Sequence, residues 1–183
     1  MATQSTKGNI FSEWVRTVED FPKPGICFYD VAPLLGNGAV FGALIEEMSA
    51  PLEGRITKVV GFDARGFLFG GAMAARLGVG FAMLRKPGKL PGAVERVEYD
   101  LEYGSNELEI QEGAIATGEK IALVDDLIAT GGTALAGVEL VRRQGTQIVE
   151  FTSVIDIEDL GGSQVIRDKG VPVRSMLSYG ACS

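Results

Sequence analysis

Residues 121–133 read "IALVDDLIATGGT". The apolar run Ile121–Val124 has the length and composition of a buried strand, and a helical pattern follows over Thr133–Gln144. Between them Ala129–Thr133 forms a glycine loop that opens a helix. The first N–H groups of a helix lack intrahelical partners and sit at the positive end of its dipole, so such a loop accommodates an anion. Gly131 and Gly132 let the backbone come close to a ligand, and Thr130 and Thr133 add hydroxyl donors. A Walker-type loop would carry GK[ST] to reach a polyphosphate. No lysine stands here, so a terminal monophosphate is the better guest. The dipole contributes only about 0.3–1 kcal/mol at an exposed site, so several N–H bonds must do most of the holding. Asp125 and Asp126 must then face something other than phosphate. A carboxylate accepts two hydrogen bonds, and the vicinal hydroxyls of a ribose lie close to a 5′-phosphate. The stretch reads as a clamp for a ribose phosphate.

Working outward, strands are expected at Val59–Phe62, Val79–Leu84, Ile148–Ile155 and Val173–Leu177. Helices are expected over "GFLFGGAMAARLG" (66–78) and, shorter, over Ser163–Lys169. Alternating strands and helices predict an α/β fold with a central, mainly parallel sheet flanked by helices. Length fits a single domain, 1–183. Ligands of such sheets bind beyond the carboxyl ends of the strands, which points to the residues after Phe62, Leu84 and Val124. Near the N-terminus Ile10, Phe11, Trp14, Val15 and Val18 fall on one face of an expected helix, Ile10–Asp20, broken by "FPKPG" (21–25). Val40–Met48 reads as a second helix. Val97–Tyr103 and Leu108–Gln111 read as a hairpin around Gly104–Asn106. Leu101, Tyr103, Leu108 and Ile110 point one way, and Glu102, Glu107 and Glu109 point to solvent.

Composition narrows the chemistry. The chain has 183 residues and a net charge of −7, which argues against a nucleic-acid or anionic-membrane binder. It has no histidine, so any proton transfer must use a carboxylate, Tyr, Lys or Cys. Two cysteines, Cys27 and Cys182, are too few for a disulfide framework and read as reduced thiols of a cytoplasmic protein. No basic-then-apolar leader opens the chain, and no apolar run approaches a membrane span.

Two further segments carry chemistry. "VVGFDARGFLFG" repeats the strand–turn–helix pattern, with Asp63, Ala64 and Arg65 at the turn; Arg65 brings a permanent charge with a bidentate fork. Taken alone, Arg65 could equally pair with Asp63. "LRKPGKLPGAVER" gathers Arg85, Lys86, Lys89 and Arg96 in an acidic protein. It follows an apolar strand at the expected ligand edge, and its length and Pro/Gly content suit a lid. The residues alone do not choose among Glu102, Glu107 and Glu109 as a proton carrier, and Phe28 taken alone reads as a core aromatic.

"IALVDDLIATGGT" resembles the phosphoribosyl-pyrophosphate signature of type I phosphoribosyltransferases. "RKPGKLPG", "YDLEYG", "LEI", "RGFLFG" and "FPKPGICFYDVAPLL" resemble the adenine-specific branch of that family, and the likeness runs from Phe21 to about Tyr179. The resemblance implies formation of AMP and pyrophosphate from adenine and phosphoribosyl pyrophosphate. It assigns ribose 5-phosphate binding to Asp125, Asp126 and Ala129–Thr133. It assigns pyrophosphate binding to Asp63, Ala64, Arg65, Arg85, Lys86 and Lys89, often with a cis peptide at Asp63–Ala64. Phe28 matches the aromatic that stacks on adenine, with Cys27, Tyr29, Arg65 and Leu127 completing the base site. Glu102 matches the general acid/base and Tyr103 its neighbour on the lid. The resemblance further implies an N-terminal base-binding hood (1–35), a flexible lid loop and hairpin (85–111) and Mg²⁺ carried mainly on substrate oxygens. It also implies a homodimer whose basic loop reaches the neighbouring site. Tyr29 departs from the family, which often has a basic residue there.

Overall fold

The computed structural model describes residues 10–101 and 104–181, with side chains given outside 99–106. The expected helix over Ile10–Asp20 is not formed. One 3₁₀ turn, Ser12–Trp14, leads into a short strand, β1 (Arg16–Val18), which pairs antiparallel with β2 (Phe28–Asp30). The apolar residues do not share a face: Phe11 is buried while Ile10 is 66% exposed. Val15, Thr17 and Val18 are β-branched and favour the extended pairing. Arg16 closes the register on Asp30 at 2.5 Å. After β2 come α1 (Ala32–Gly36) and α2 (Gly38–Ser49). The Asn37 side chain accepts hydrogen bonds from the N–H groups of Ala39 and Val40, and so sets where α2 begins.

The frame follows as β3 (Lys58–Phe62), α3 (Gly66–Leu77), β4 (Gly80–Leu84), the hairpin β5 (Val94–Leu101) and β6 (Gly104–Gln111), β7 (Lys120–Ile128), α4 (Gly132–Arg143), β8 (Gln147–Ile157), α5 (Gly162–Asp168) and β9 (Val173–Tyr179). β4, β3, β7, β8 and β9 pair in that order, all parallel, as one five-stranded sheet. Both faces are covered. Helices α2 and α3 bury Leu44, Met48, Phe69 and Met73 on one side. Helix α4 and the hairpin bury Leu140, Val97 and Leu108 on the other. Covering on both faces is why the strands read as continuous apolar runs. The chain turns one way from β3 to β4 and the other way from β7 to β9, so the order reverses between β3 and β7. Such a switch point opens a crevice at the carboxyl ends of the two strands. Among the described residues no helix is long and apolar enough to cross a membrane.

The hairpin is not solvated along its whole polar side. Glu109 is 2% exposed. It accepts the Gly88 N–H at 3.1 Å and pairs with Arg96 at 3.2 Å. Its backbone also bridges to Arg85 in both directions. The expectation of a solvent-facing Glu109 is corrected: the loop 85–93 folds back over it. Glu109→Ala is expected to lower stability by about 1–3 kcal/mol, the range for a buried hydrogen-bonding group left without its partner. Arg96 is more than half exposed and rehydrates, which keeps the loss below that of a fully buried ion pair. Denaturant unfolding of the variant checks this.

Candidate active site

A cleft of about 370 Å³ opens at the switch point, a size suited to a small ligand. It brings together Asp63, Ala64, Arg65 and Lys86 with Asp125–Thr133. Leu127 lines it as well, with an apolar floor from Phe62, Leu108, Ile128 and Phe151 that sequence reasoning had not assigned to the site. Two helix starts face it. α4 begins after Gly131, which has φ +86° and provides no side-chain cap. α3 begins after Arg65, also without a side-chain cap. At α3 the Phe67 and Leu68 N–H groups already donate to the Ala64 and Arg65 carbonyls, so the start of α4 is the better placed of the two for an anion.

The acid pair lies inside β7, which continues to Ile128, rather than after its end. Asp125 Oδ1 accepts the N–H of Asp126 at 2.8 Å. Burial first, and then the negative charge of Asp126, push the Asp125 carboxyl well above the usual carboxylate range. A Cβ on Gly66 would lie 2.8 Å from the Val124 carbonyl oxygen and 3.0 Å from Asp125 Oδ1, so only glycine lets α3 start this close to the pair. Asp126 is buried, and Arg65 Nε stands 2.8 Å from its Oδ2. The contact is an ion pair, and Oδ2 accepts no hydrogen bond. Asp126 lines the cleft, but its Oδ2 is covered, with the Arg65 guanidinium as its ion-pair partner.

The second turn is arranged differently from the simplest pairing. The Asp63–Ala64 peptide is cis. Asp63 Oδ2 accepts from Arg85 Nε at 2.8 Å, while Arg65 pairs with Asp126. Arg85 also donates to the Lys89 carbonyl and lies over the Phe67 ring. Of the basic loop, Lys86 therefore reaches the cleft, and Arg85 and Lys89 do not line it.

Of the expected base site, Arg65 and Leu127 line the cleft and Cys27, Phe28 and Tyr29 do not. Phe28 has the Phe21 ring edge-on at 5.1 Å and the Arg65 guanidinium 5.0 Å from its centroid. Arg65 thus spans from the aromatic ring to the acid pair. Tyr29 points away from this group. It is buried, stacks on Tyr179 at 4.5 Å and donates its hydroxyl to the Gly180 carbonyl at 2.7 Å. Burial raises both tyrosines above their ordinary range, so both stay protonated at neutral pH. Cys27 is disulfide-bonded, which corrects the reading of a reduced thiol and removes the compartment argument built on it. Cys182 lies outside the described residues, as do Glu102 and Tyr103. The register of β5 and β6 brings Leu101 opposite Gly104, on either side of that pair in the chain.

Among the described residues no group of three or more acidic or cysteine side chains could hold a metal ion. The cleft offers three hard carboxylates, Asp63, Asp125 and Asp126, of which Asp63 is bound by Arg85. That donor set fits Mg²⁺ held chiefly by ligand oxygens and water, not in an all-protein cage.

Residues 37–173 match the family described as the phosphoribosyl transferase domain. The chain is 48% identical to the adenine phosphoribosyltransferase of Agrobacterium fabrum over 166 residues, 90% of this chain and 92% of that protein. It is 46% identical to the adenine phosphoribosyltransferase of Neorhizobium galegae, covering 97% and 98% of the two chains. Its fold is similar to that of adenine phosphoribosyltransferase from Saccharomyces cerevisiae, solved with adenine and an imino-altritol bisphosphate. That likeness has a TM-score of 0.86 and 38% identity over 91% of this chain and 96% of the other.

Proposed function

The chain belongs to the phosphoribosyl transferase family, and from that premise we propose that it transfers the 5-phosphoribosyl group of phosphoribosyl pyrophosphate to adenine, giving AMP and pyrophosphate. The observation that carries the sugar-phosphate part is the acid pair Asp125–Asp126 lining the same cleft as the uncapped start of α4. Ribose hydroxyls would donate to the acid pair in place of Arg65, and the adjoining N–H groups would hold the 5′-phosphate. Adenine as the acceptor is supported by the names of the relatives and by Phe28, joined to the cleft through Arg65, with Leu127 on the cleft wall.

In the proposed reaction the C1–O bond to pyrophosphate breaks, positive charge develops at C1, and N9 of adenine forms the new bond. Lys86 and Arg65 offer the cationic side chains for the departing pyrophosphate. Arg65 must first leave Asp126 and the Phe28 ring, which frees the acid for ribose and the ring for adenine. When bound, Mg²⁺ would neutralise pyrophosphate oxygens and so make it a better leaving group. Glu102 receives the proton released at N9 or holds N7, and Tyr103 closes beside it; both roles rest on the resemblance. The loop 85–93 and the hairpin would exclude water, which otherwise diverts the activated sugar to hydrolysis. A homodimer with the basic loop reaching across, and a cytoplasmic location, belong to the same reading.

Incubating the protein with Mg²⁺, phosphoribosyl pyrophosphate and a panel of bases tests it. AMP from adenine is the expected product. Nucleotide from hypoxanthine, guanine or orotate alone would reassign the base. No nucleotide from any base would leave a protein that binds phosphoribosyl pyrophosphate without turnover.

A further inference from the structure

We propose that Gly162, at the start of α5, is a positioning residue that aims the 5′-phosphate loop. The two segments meet backbone to backbone. Gly162 N–H donates to the Ala129 carbonyl at 3.1 Å. A Cβ on Gly162 would overlap that carbonyl oxygen and would lie 2.7 Å from Gly131 N and 2.8 Å from the carbonyl carbon of Thr130. The reverse holds as well: a Cβ on Gly131 would lie 2.9 Å from the Gly162 carbonyl oxygen. No side chain fits between them, and neither backbone can yield as a flexible side chain would.

The contact fixes a direction as well as a distance. In a trans peptide the C=O of one residue and the N–H of the next point to opposite sides. Gly162 draws the Ala129 carbonyl back toward α5, so the Thr130 N–H is turned the other way. Ala129 and Thr130 both line the cleft, and that N–H is therefore presented to it. A residue larger than glycine at 162 pushes the loop into the cleft and rotates this peptide. Whatever carries a 5′-phosphate then binds less well, while adenine, whose site is built from Phe28 and Leu127, does not. Gly161, with φ +70° and open space where a Cβ would be, is the hinge that delivers Gly162 into this contact.

This inference rests on the reading of Ala129–Thr133 as the 5′-phosphate cradle, and the test separates the two. Wild type and Gly162→Ala are titrated with ribose 5-phosphate and with adenine, and assayed for kcat and for KM of phosphoribosyl pyrophosphate. Gly70→Ala serves as control, since its Cβ would meet the Phe81 ring at 2.8 Å, a clash in the body of α3 rather than behind the loop. Gly162→Ala is expected to weaken ribose 5-phosphate and raise KM for phosphoribosyl pyrophosphate by about tenfold or more, because small misplacements of a binding group cost that much. Its kcat and adenine affinity stay near wild type. Gly70→Ala is expected to lose thermal stability with both affinities kept. Wild type that does not bind ribose 5-phosphate refutes the cradle itself. Wild type that binds it, with Gly162→Ala binding equally well, overturns the positioning role, as does a parallel loss of adenine. If Gly162→Ala does not fold, Gly161→Ala strains the same junction without a clash. It is expected to weaken ribose 5-phosphate by a smaller factor, and unchanged affinity there overturns the proposal.

Discussion

Replacing Glu102 with glutamine is expected to lower kcat by about 10²–10⁴-fold, the range a positioned general acid/base supplies, while KM for phosphoribosyl pyrophosphate changes little. The chain contains no histidine, so the proton leaving N9 must go to another side chain or to water. Three glutamates of the hairpin, Glu102, Glu107 and Glu109, are singled out by the sequence. Glu109 is buried and committed to Gly88 and Arg96. Glu107 stands in the body of β6, 3.7 Å from the same arginine. Both stand against Arg96 within the hairpin. Glu102, in the chain between Leu101 and Gly104, is the one the family resemblance selects. Glutamine keeps the shape and a hydrogen-bonding oxygen but cannot accept a proton to become neutral. Single-turnover measurement of AMP formation separates this from a loss of binding. Full turnover in Glu102→Gln would remove the acid/base role.

The order of elements was legible because a sheet covered on both faces forces apolar runs, and helices between them force a 3.6-residue period. Val59–Phe62 and Ile148–Ile155 could be read for that reason, within the observed Lys58–Phe62 and Gln147–Ile157. The segment 10–20 misled because five apolar residues at helical spacing say nothing about whether one face is offered a core. Phe11 found one; Ile10 did not. In the site, Asp125, Asp126 and the glycine loop were legible because opposite chemistries stand side by side in the sequence. What was not legible depends on contacts between distant segments. Arg65 read alone could pair with Asp63, and only the fold gives Asp63 to Arg85 and Asp126 to Arg65. Glu109 looked like any polar strand residue until the loop covered it. The pair Gly161–Gly162 reads as an ordinary turn, and its role in shaping the cradle exists only where α5 meets Ala129. The Tyr29 departure suggested an altered base pocket, yet its ring is spent on Tyr179 and Gly180.

Asp126→Asn is expected to abolish measurable ribose 5-phosphate binding, or weaken it by about 100-fold or more, while leaving the fold as stable as wild type or more so. The loss follows from the hydrogen bonds: hydrogen bonds to a charged group are worth about 1.5–3 kcal/mol each, and an asparagine offers one neutral acceptor where the carboxylate offers two charged oxygens. The stability gain follows from linkage. The Asp125 carboxyl is raised by burial and by the Asp126 charge. A carboxyl whose folded pKa lies above its unfolded value costs no stability below the unfolded pKa, and the cost grows as pH rises through the folded value. At neutral pH that cost is present, and removing the Asp126 charge relieves part of it. Arg65 loses its ion-pair partner, but its side chain is 40% exposed and takes up water in exchange. The sign of the stability change is therefore diagnostic. Thermal unfolding of Asp126→Asn between about pH 4 and 8 should show its advantage over wild type growing with pH across the range where Asp125 ionises. A variant that loses binding and stability together would mean that Asp126 supports the fold. One that keeps ribose 5-phosphate binding would mean that the acid pair faces some other group. The expected outcome, binding lost and stability kept, is that of a site in which two carboxylates are held together at the expense of the folded state because a sugar needs them there.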